Sequence, residues 1–414
     1  MSILLYNLFL ALYKLSIRLT ARRGNKSQQW LEGRNDIFTH IAHSLRPEDG
    51  KRVWVHCASL GEFEQGRPII EALKQQGYCI VLTFFSPSGY EIRKNYEQAD
   101  YVFYLPLDHP KESQQMVQLI NPSLVLFVKY EFWYYYLQAL QQRGIPTLLV
   151  AAAFRPSQPF FKWYGGLFRK MLSCYTHLFV QDEASKNLLL SIYKNCPVIV
   201  AGDTRYDRVA AIAGHAKTNI WVEKWKNNQP VCVAGSTWPD DEKVLHAFYQ
   251  KSNIPYKFII APHEVDDAHV QQLVSIFGEK AVRYSQFTDA DIDKKVLLVD
   301  NMGMLSSLYQ YGTIAYVGGG FAKSGIHNIL EPAIFGLPVF FGPHFQKFIE
   351  AREMTARGLA FSKSDANGLQ QGFESIAHSE EKRLALKKEI IAFMQSKQGA
   401  TDIIVKKSLE LLSH

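Results

Sequence analysis

Cysteine is scarce in this chain. Cys57, Cys79, Cys174, Cys196 and Cys232 are the five among 414 residues, and no two are spaced as CxxC. That excludes a zinc ribbon and a thioredoxin-type redox pair, and an odd, sparse count fits a reducing compartment. Low-complexity tracts are absent, as is any repeat with a period of roughly 20–50 residues, so repeat architectures are set aside. Charge of one sign is in short supply too: 46 Lys and Arg stand against 39 Asp and Glu, a formal +7. A dedicated nucleic-acid binder carries a domain-wide basic excess, so nucleic acid is not an expected partner. No uninterrupted apolar run reaches the ~20 residues of a simple membrane span. What is present is ordinary for a folded protein. Hydrophobic residues make up 47% of the chain, which rules out disorder. At roughly 150 residues per domain the length gives two or three domains.

The charge is unevenly placed. Residues 1–52 hold nine cations (Lys14, Arg18, Arg22, Arg23, Lys26, Arg34, Arg46, Lys51, Arg52) and four anions (Glu32, Asp36, Glu48, Asp49), which is +5 of the +7. They follow the most apolar stretch, MSILLYNLFLALY, which carries no side-chain charge. Lys14 interrupts it, and the apolar pattern runs on to Leu19. Asn7, Ala11, Lys14, Arg18 and Arg22 share one helix face, with Leu5, Phe9, Leu12 and Leu19 elsewhere on the wheel. The pattern predicts a helix in the membrane interface or a short signal-anchor. A helix docked on the protein's own body is the competing reading. A cleavable signal peptide would put the cations first and end in an Ala-x-Ala site, and neither is seen. Cations on the C-terminal side keep that side cytoplasmic.

From residue 52 short β-branched runs alternate with helical patterns. VWVHCAS (53–59), CIVLTFF (79–85), YVFYLP (101–106), LVLFV (124–128), TLLVAAA (147–153), HLFVQ (177–181) and VIVAGD (198–203) read as strands of a first series. VCVAGS (231–236), KFIIAP (257–262), KVLLVD (295–300), TIAYVGGG (313–320) and LPVFFGP (337–343) form a second. This βαβ order predicts α/β structure with parallel sheets: two Rossmann-like domains in tandem, with ligands at the carboxyl ends of the strands, in a cleft. The expected division is an anchor helix over 1–26, an N-terminal domain over 27–207, a polar linker over 208–229, a C-terminal domain over 230–395 and a final helix over 396–414.

Four patterns carry chemistry. Glu62, in Ser59-Leu60-Gly61-Glu62, follows a strand and opens a helix. A glutamate there can act as a general base, or it can simply complement the helix dipole. Gly318-Gly319-Gly320 followed by His327-Asn328-Ile329-Leu330-Glu331-Pro332 suits nucleotide binding. Glycines let amides approach a phosphate, a helix N-terminus favours an anion, and Glu331 can accept from ribose hydroxyls; a tight turn with a capping Asn is the plainer reading. Pro262-His263 and Met302-Gly303-Met304, both at strand ends, adjoin the same expected pocket. Between Phe154-Arg155 and Arg169-Lys170 aromatics alternate with cations, including Lys162, Trp163 and Tyr164. That suits an amphiphilic anionic ligand or a membrane surface, or equally a helix with an aromatic core face.

Taken together, these pieces resemble the Kdo (3-deoxy-D-manno-octulosonic acid) transferases of lipopolysaccharide synthesis, glycosyltransferase family 30. Pro87-Ser88-Gly89, Glu131-Phe132-Trp133, Gly202-Asp203-Thr204-Arg205-Tyr206-Asp207, Gly235-Ser236-Thr237 and Gly342-Pro343-His344 extend the likeness over nearly the whole chain. The resemblance implies a GT-B architecture whose N-terminal domain takes the acceptor and whose C-terminal domain takes the donor. It implies inverting transfer of Kdo from CMP-Kdo to a lipid A precursor, without a bound metal or other cofactor. The place implied is the cytoplasmic face of a bacterial inner membrane.

By the same resemblance Glu62 is the catalytic base. CMP contacts fall on Pro262, His263, Met302, Gly303, Met304, Gly318, Gly319 and Asn328, Ile329, Leu330 and Glu331. Ser88, Gly89, Glu131, Arg155 and Lys162 are the expected acceptor contacts. Lys129 stands where the family commonly has glutamate, and Arg205 where it commonly has lysine; either cation can bind the Kdo carboxylate. The competing functions are another GT-B enzyme with a UDP-sugar (a 2-epimerase or lipid A disaccharide synthase type), or a membrane-tethered nucleotide-binding module without turnover.

Overall fold

Each of these apolar runs becomes a strand, and together the strands build two parallel sheets. The computed structural model describes residues 2–22, 24–251 and 256–413; Arg23, counted among the N-terminal cations, lies outside them. The chain divides into Met1–Arg208 with Lys397–His414, and Val209–Ser396.

The first unit holds β1 (Arg52–Cys57), β2 (Cys79–Phe84), β3 (Tyr101–Tyr104), β4 (Leu124–Val128), β5 (Thr147–Ala152), β6 (His177–Val180) and β7 (Val198–Val200). Their order is β3-β2-β1-β4-β5-β6-β7, all parallel. Parallel sheets are covered on both faces, which is why the strands are apolar throughout rather than alternating. Trp54, Val125 and Phe127 pack into the core on one face. Val53, Val55, Leu124 and Leu126 pack on the other.

The second unit repeats the plan with β8 (Val231–Thr237), β9 (Lys257–Pro262), β10 (Ala281–Arg283), β11 (Val296–Leu298), β12 (Ile314–Val317), β13 (Val339–Phe341) and β14 (Ala360–Ser362). The order is β10-β11-β9-β8-β12-β13-β14, again parallel. Sequence patterning misses β10 and β14. Both are three-residue edge strands, Ala281-Val282-Arg283 and Ala360-Phe361-Ser362, without the β-branched run that marks the equally short β7. In each sheet the strand order reverses beside the unit's first strand, between β1 and β4 and between β8 and β12; the second sheet differs from the first in placing β11 between β9 and β10. A crevice outside the carboxyl ends at that point is where such sheets bind ligands.

Six helices carry or support functional residues within their own units: α1 (Ile3–Thr20), α2 (Leu60–Gln75), α3 (Pro87–Arg93), α4 (Thr204–Gly214), α5 (Pro239–Lys251) and α6 (Ala400–Leu412). α1 is long and apolar enough to cross a membrane, yet one side of it is docked on its own unit. Tyr6 and Leu10 are buried, the Tyr6 hydroxyl donates to Asp108 (2.5 Å), and Tyr135 donates to Asn7 (2.8 Å). The opposite side leaves Leu4, Leu5, Leu8, Phe9, Leu12 and Leu15 exposed. The polar face expected from the helical wheel (Asn7, Ala11, Lys14, Arg18, Arg22) stays exposed, with much of the apolar surface exposed beside it.

Residues 208–229 are structured rather than a simple linker. The boundary between the units falls inside α4. Asn219 then caps a helix over Ile220–Lys226, whose Val222 and Trp225 enter the core of the second unit. The final helix, α6, belongs to the first unit. Ile404 and Leu412 join the core with Val53 and Leu126. Asp207 fixes the start of α6 by accepting from the amides of Gly399 and Thr401 and from the Thr401 hydroxyl, all at 2.7 Å.

Candidate active site

In the first unit β1 ends and Ser59 leads into α2, which places Glu62 in the first helical turn. The Ser59 hydroxyl donates to the Glu62 carboxylate. Lys129 follows β4 with φ +76°, a left-handed conformation that costs a lysine about 1–3 kcal/mol and persists only where surroundings enforce it. Here its N–H is held by the Val150 carbonyl at 2.8 Å. The turn brings the ammonium to 4.0 Å from Glu62 Oε1, and the two side chains keep 32% and 21% exposure. Two opposite charges thus meet at the switch point of the sheet, open to a ligand.

Beneath them lies a buried polar network. Glu131 is only 4% exposed. Its carboxylate is 3.1 Å from His56 Nε2 and accepts from Trp133 Nε1 (2.6 Å). Tyr175 donates to its carbonyl. His56 Nδ1 in turn lies 2.8 Å from the Thr83 hydroxyl, to which Trp54 Nε1 donates (2.8 Å). Glu131, expected to touch acceptor, is instead an internal anchor that holds the loop after Lys129. His56 is a partner that the motifs do not single out, although a lone imidazole in an apolar strand requires one.

Of the other expected acceptor contacts, Gly89 and Ser88 have structural neighbours of their own. Gly89 is buried, and a Cβ there would come within 2.3 Å of the Phe84 ring. Ser88 pairs with the Ser86 hydroxyl (2.9 Å) at the start of α3. Arg155 is exposed and Lys162 half-buried. Phe154 and Phe160 beside them are core residues, whereas Trp163 is 92% exposed. Arg205 directs Nε and Nη2 at the Asp203 carboxylate (2.9 and 2.7 Å). Thr204 donates to the Gln65 carbonyl in α2 (2.6 Å). The 202–207 motif therefore ties α4, α2 and α6 together while presenting a carboxylate-held arginine.

In the second unit the strand ends are occupied by backbone and rings. Ser236, one residue before the end of β8, sits at φ +53°, with a register shift against β9 between Gly235 and Thr237. The glycines after β12 serve close packing. A Cβ on Gly318 would lie 2.2 Å from the Ser236 carbonyl, and one on Gly320 2.5 Å from Gly342 N. Their amides are not waiting for a phosphate as expected: Gly318 N–H goes to the Gly235 carbonyl (2.9 Å) and Gly319 N–H to Asp241 (2.8 Å). The expected helix terminus near Asn328 is a single turn, Leu330–Ala333, with little dipole to offer.

Ile329 and Leu330 are fully buried, so their side chains belong to the core. Glu331 accepts from Ser306 (3.0 Å) and from Asn328 Nδ2 (3.2 Å). Met302 is 87% exposed, Gly303 takes φ +88°, and Met304 is partly buried.

His263, next to Pro262 at the end of β9, stacks on His327 at 4.2 Å between ring centres and lies 4.8 Å from Trp238. Trp238 Nε1 donates to His327 Nε2 (3.0 Å). Burial, with His263 adding to it, pushes the His327 imidazole down to about 4, so at neutral pH it is the acceptor this bond needs. Asp241, buried on α5, takes the N–H groups of Trp238 (3.0 Å) and Gly319 and the hydroxyl of Tyr316 (2.7 Å). Burial raises its carboxyl in spite of those three bonds. Next to it Glu242 joins Thr237 to His269, each at 2.9 Å. Burial opposes protonation of His269, and the Glu242 carboxylate overrides it and raises the imidazole. Trp238, Asp241, Glu242 and His269 belong to none of the sequence motifs. The one available signal is the acidic run Asp240-Asp241-Glu242 directly after a strand.

Comparison with known proteins follows the same division. A family model for 3-deoxy-D-manno-octulosonic-acid transferase (kdotransferase) matches residues 28–208. The 3-deoxy-D-manno-octulosonic acid transferase of Aquifex aeolicus is 30% identical over 73% of this chain and 78% of its own length. A bifunctional glycosyltransferase/methyltransferase of Fusobacterium nucleatum is 25% identical over 87% of this chain, and the match spans 57% of that protein. Among solved structures, a UDP-GlcNAc 2-epimerase from Neisseria meningitidis superposes with a TM-score of 0.59 and 16% identity over 87% of this chain and all of that one. At that identity the likeness speaks for fold alone, the two-sheet GT-B architecture.

Proposed function

The chain belongs to the 3-deoxy-D-manno-octulosonic acid transferase family and is a glycosyltransferase, and from that premise we propose that it moves Kdo from CMP-Kdo to a lipid A precursor of the lipid IVA type, inverting the anomeric carbon. The observation that carries this reading is the pairing of Glu62 with Lys129 at the β1/β4 switch point. Glu62 takes the proton of an acceptor hydroxyl. That oxygen bonds to C2 of Kdo as the bond from C2 to the phosphate oxygen breaks, and CMP departs with the electron pair. Once Glu62 is protonated, the Lys129 ammonium is released from its partner and its charge falls to the carboxylate of Kdo. Arg205, oriented by Asp203, supplies a second cation for the developing charge.

CMP is held in the second unit by the Pro262-His263 turn, by Met302 to Met304 and by the Asn328–Glu331 segment. The Trp238–His263–His327 stack offers a flat face for the base. The outward face of α1, with Lys14, Arg18 and Arg22, sets the first unit on the anionic cytoplasmic leaflet of the inner membrane.

The test is transfer of radiolabelled Kdo from freshly generated CMP-Kdo to a lipid IVA-type acceptor. Transfer by the wild type and its near loss in Glu62→Gln, with CMP still bound, is the expected result. Binding of UDP in preference to CMP, with no Kdo transfer, would instead support a UDP-sugar enzyme.

A further inference from the structure

The first unit contains an apolar cavity of about 420 Å³ that the transfer chemistry leaves unused. Phe9 and Leu10 of α1 form one wall, Tyr130, Phe132 and Trp133 a second, and Phe168 closes the far side. Gln158 is the one amide among aromatic and aliphatic lining residues. A sugar or nucleotide would find too few partners there, and water would gain little. The volume is within the ~300–1,000 Å³ of small-molecule sites.

Three observations say what enters it. The aromatic wall is the continuation of the catalytic turn: Tyr130 follows Lys129, whose ammonium is 4.0 Å from Glu62. The wall is also rigid, because Tyr130 donates to the Ala153 carbonyl (2.7 Å) and Trp133 to Glu131 (2.6 Å). Second, the cavity is continuous with the outward apolar face of α1 through Phe9, itself 61% exposed. Trp163 and Tyr164 stand exposed on the aromatic segment that carries Phe160 and Phe168, as amphipathic rings do at a lipid–water boundary. Third, cations stand beside the cavity, although Asp182 is also near Tyr130. Arg155 lies near Tyr130, and Lys170 bonds the Tyr134 hydroxyl (3.0 Å). Cations around an apolar slot complement an anionic headgroup that carries a hydrocarbon chain.

We infer that this cavity takes one acyl chain of the lipid acceptor, drawn out of the bilayer while the headgroup hydroxyl lies against Glu62. The inference rests on the transferase reading and adds to it a site for the acceptor's chain, so that the enzyme measures hydrocarbon as well as sugar.

Full-length protein in lipid vesicles tests this with Leu10→Trp and Phe168→Trp, each narrowing the cavity from a different element. Steady-state transfer is compared between an acylated lipid IVA-type acceptor and the same headgroup with its chains removed. Expected is a KM for the acylated acceptor raised about tenfold, the effect of losing roughly two buried methylenes, with less than twofold change for the chain-free one. An equal change with both acceptors overturns the inference. Should either variant fold poorly, the wild type serves with an acceptor carrying a diazirine on one acyl chain. Crosslinks to Phe132, Trp133 or Phe168 support the site. The same labelling from a diazirine-bearing bulk phospholipid overturns its assignment to the acceptor. Absence of transfer to either acceptor by the wild type would sink the transferase reading instead, and the crosslinks would still decide on the cavity.

Discussion

Both sheets have seven parallel strands and a switch point beside the unit's first strand, and they differ at their carboxyl ends. In the first unit the switch point presents charge: Glu62 and Lys129 face each other at 4.0 Å, partly exposed, over a buried His56–Glu131 pair. In the second unit the carboxylates have withdrawn. Asp241 and Glu242 are buried and already bonded, and rings stand at the surface of the site. Both units use a non-glycine residue in the left-handed region near the end of a central strand, Lys129 and Ser236. One architecture thus serves a proton-moving end and a shape-holding end, and the difference lies in whether the acids are left available.

The sharpest way to break this contrast is Glu62→Gln. If the first unit moves protons, transfer falls by about 10²–10⁴ while CMP affinity and melting temperature stay put; unchanged turnover in a Kdo-transfer assay would end the contrast. Gly318→Ala attacks the other side. Its methyl group must displace the Ser236 carbonyl, so the second unit loses about 1–3 kcal/mol and CMP affinity with it, read by calorimetry with and without CMP.

The pH dependence sharpens the comparison further. His327 is held down to about 4 from an ordinary 6.5. The unfolded chain therefore binds more protons between those values, and stability falls as pH drops through that window. His269 is raised by Glu242, so its contribution is complete below about 6.5 and is lost as pH rises through its folded value. His327→Phe is expected to flatten the acid limb of a Tm-versus-pH curve, and His269→Gln to lower its acidic side. Identical curves for both variants would count against the assignment.

The smallest effect on chemistry belongs to α1. Leu8→Asp with Leu12→Asp is expected to shift the protein from membrane pellet to supernatant while transfer to detergent-dispersed acceptor stays within about threefold. Deleting α1 outright is a poorer test. It removes one of the four donors that hold buried Asp108 and uncovers Trp30 and Phe85, which pack on Tyr13.

Much of this plan is legible in the sequence, for a physical reason. A strand buried on both faces is apolar throughout, so runs such as LVLFV announce themselves, and Glu62 is conspicuous as an acid at the end of one. The edge strands β10 and β14, each with a single apolar β-branched or aromatic residue, leave no such mark, whereas the equally short β7, Val198-Ile199-Val200, does. Gly318 and Gly319 mislead because a glycine required by a neighbouring backbone looks the same as one required by a phosphate. Glu131 and Asp241 depend on partners far along the chain: His56 precedes Glu131 by 75 positions and Gly319 follows Asp241 by 78. No local pattern reveals such pairs.

The anchoring of α6 by Asp207 has a consequence for how the protein is made. The core that Val53 and Leu126 help to form is finished by Ile404 and Leu412, which are synthesised after the whole second unit. At about 5–20 residues per second, the whole second unit is synthesised while the first still exposes that apolar patch. The nascent first unit must therefore wait, and its open core is the surface a chaperone would meet during translation.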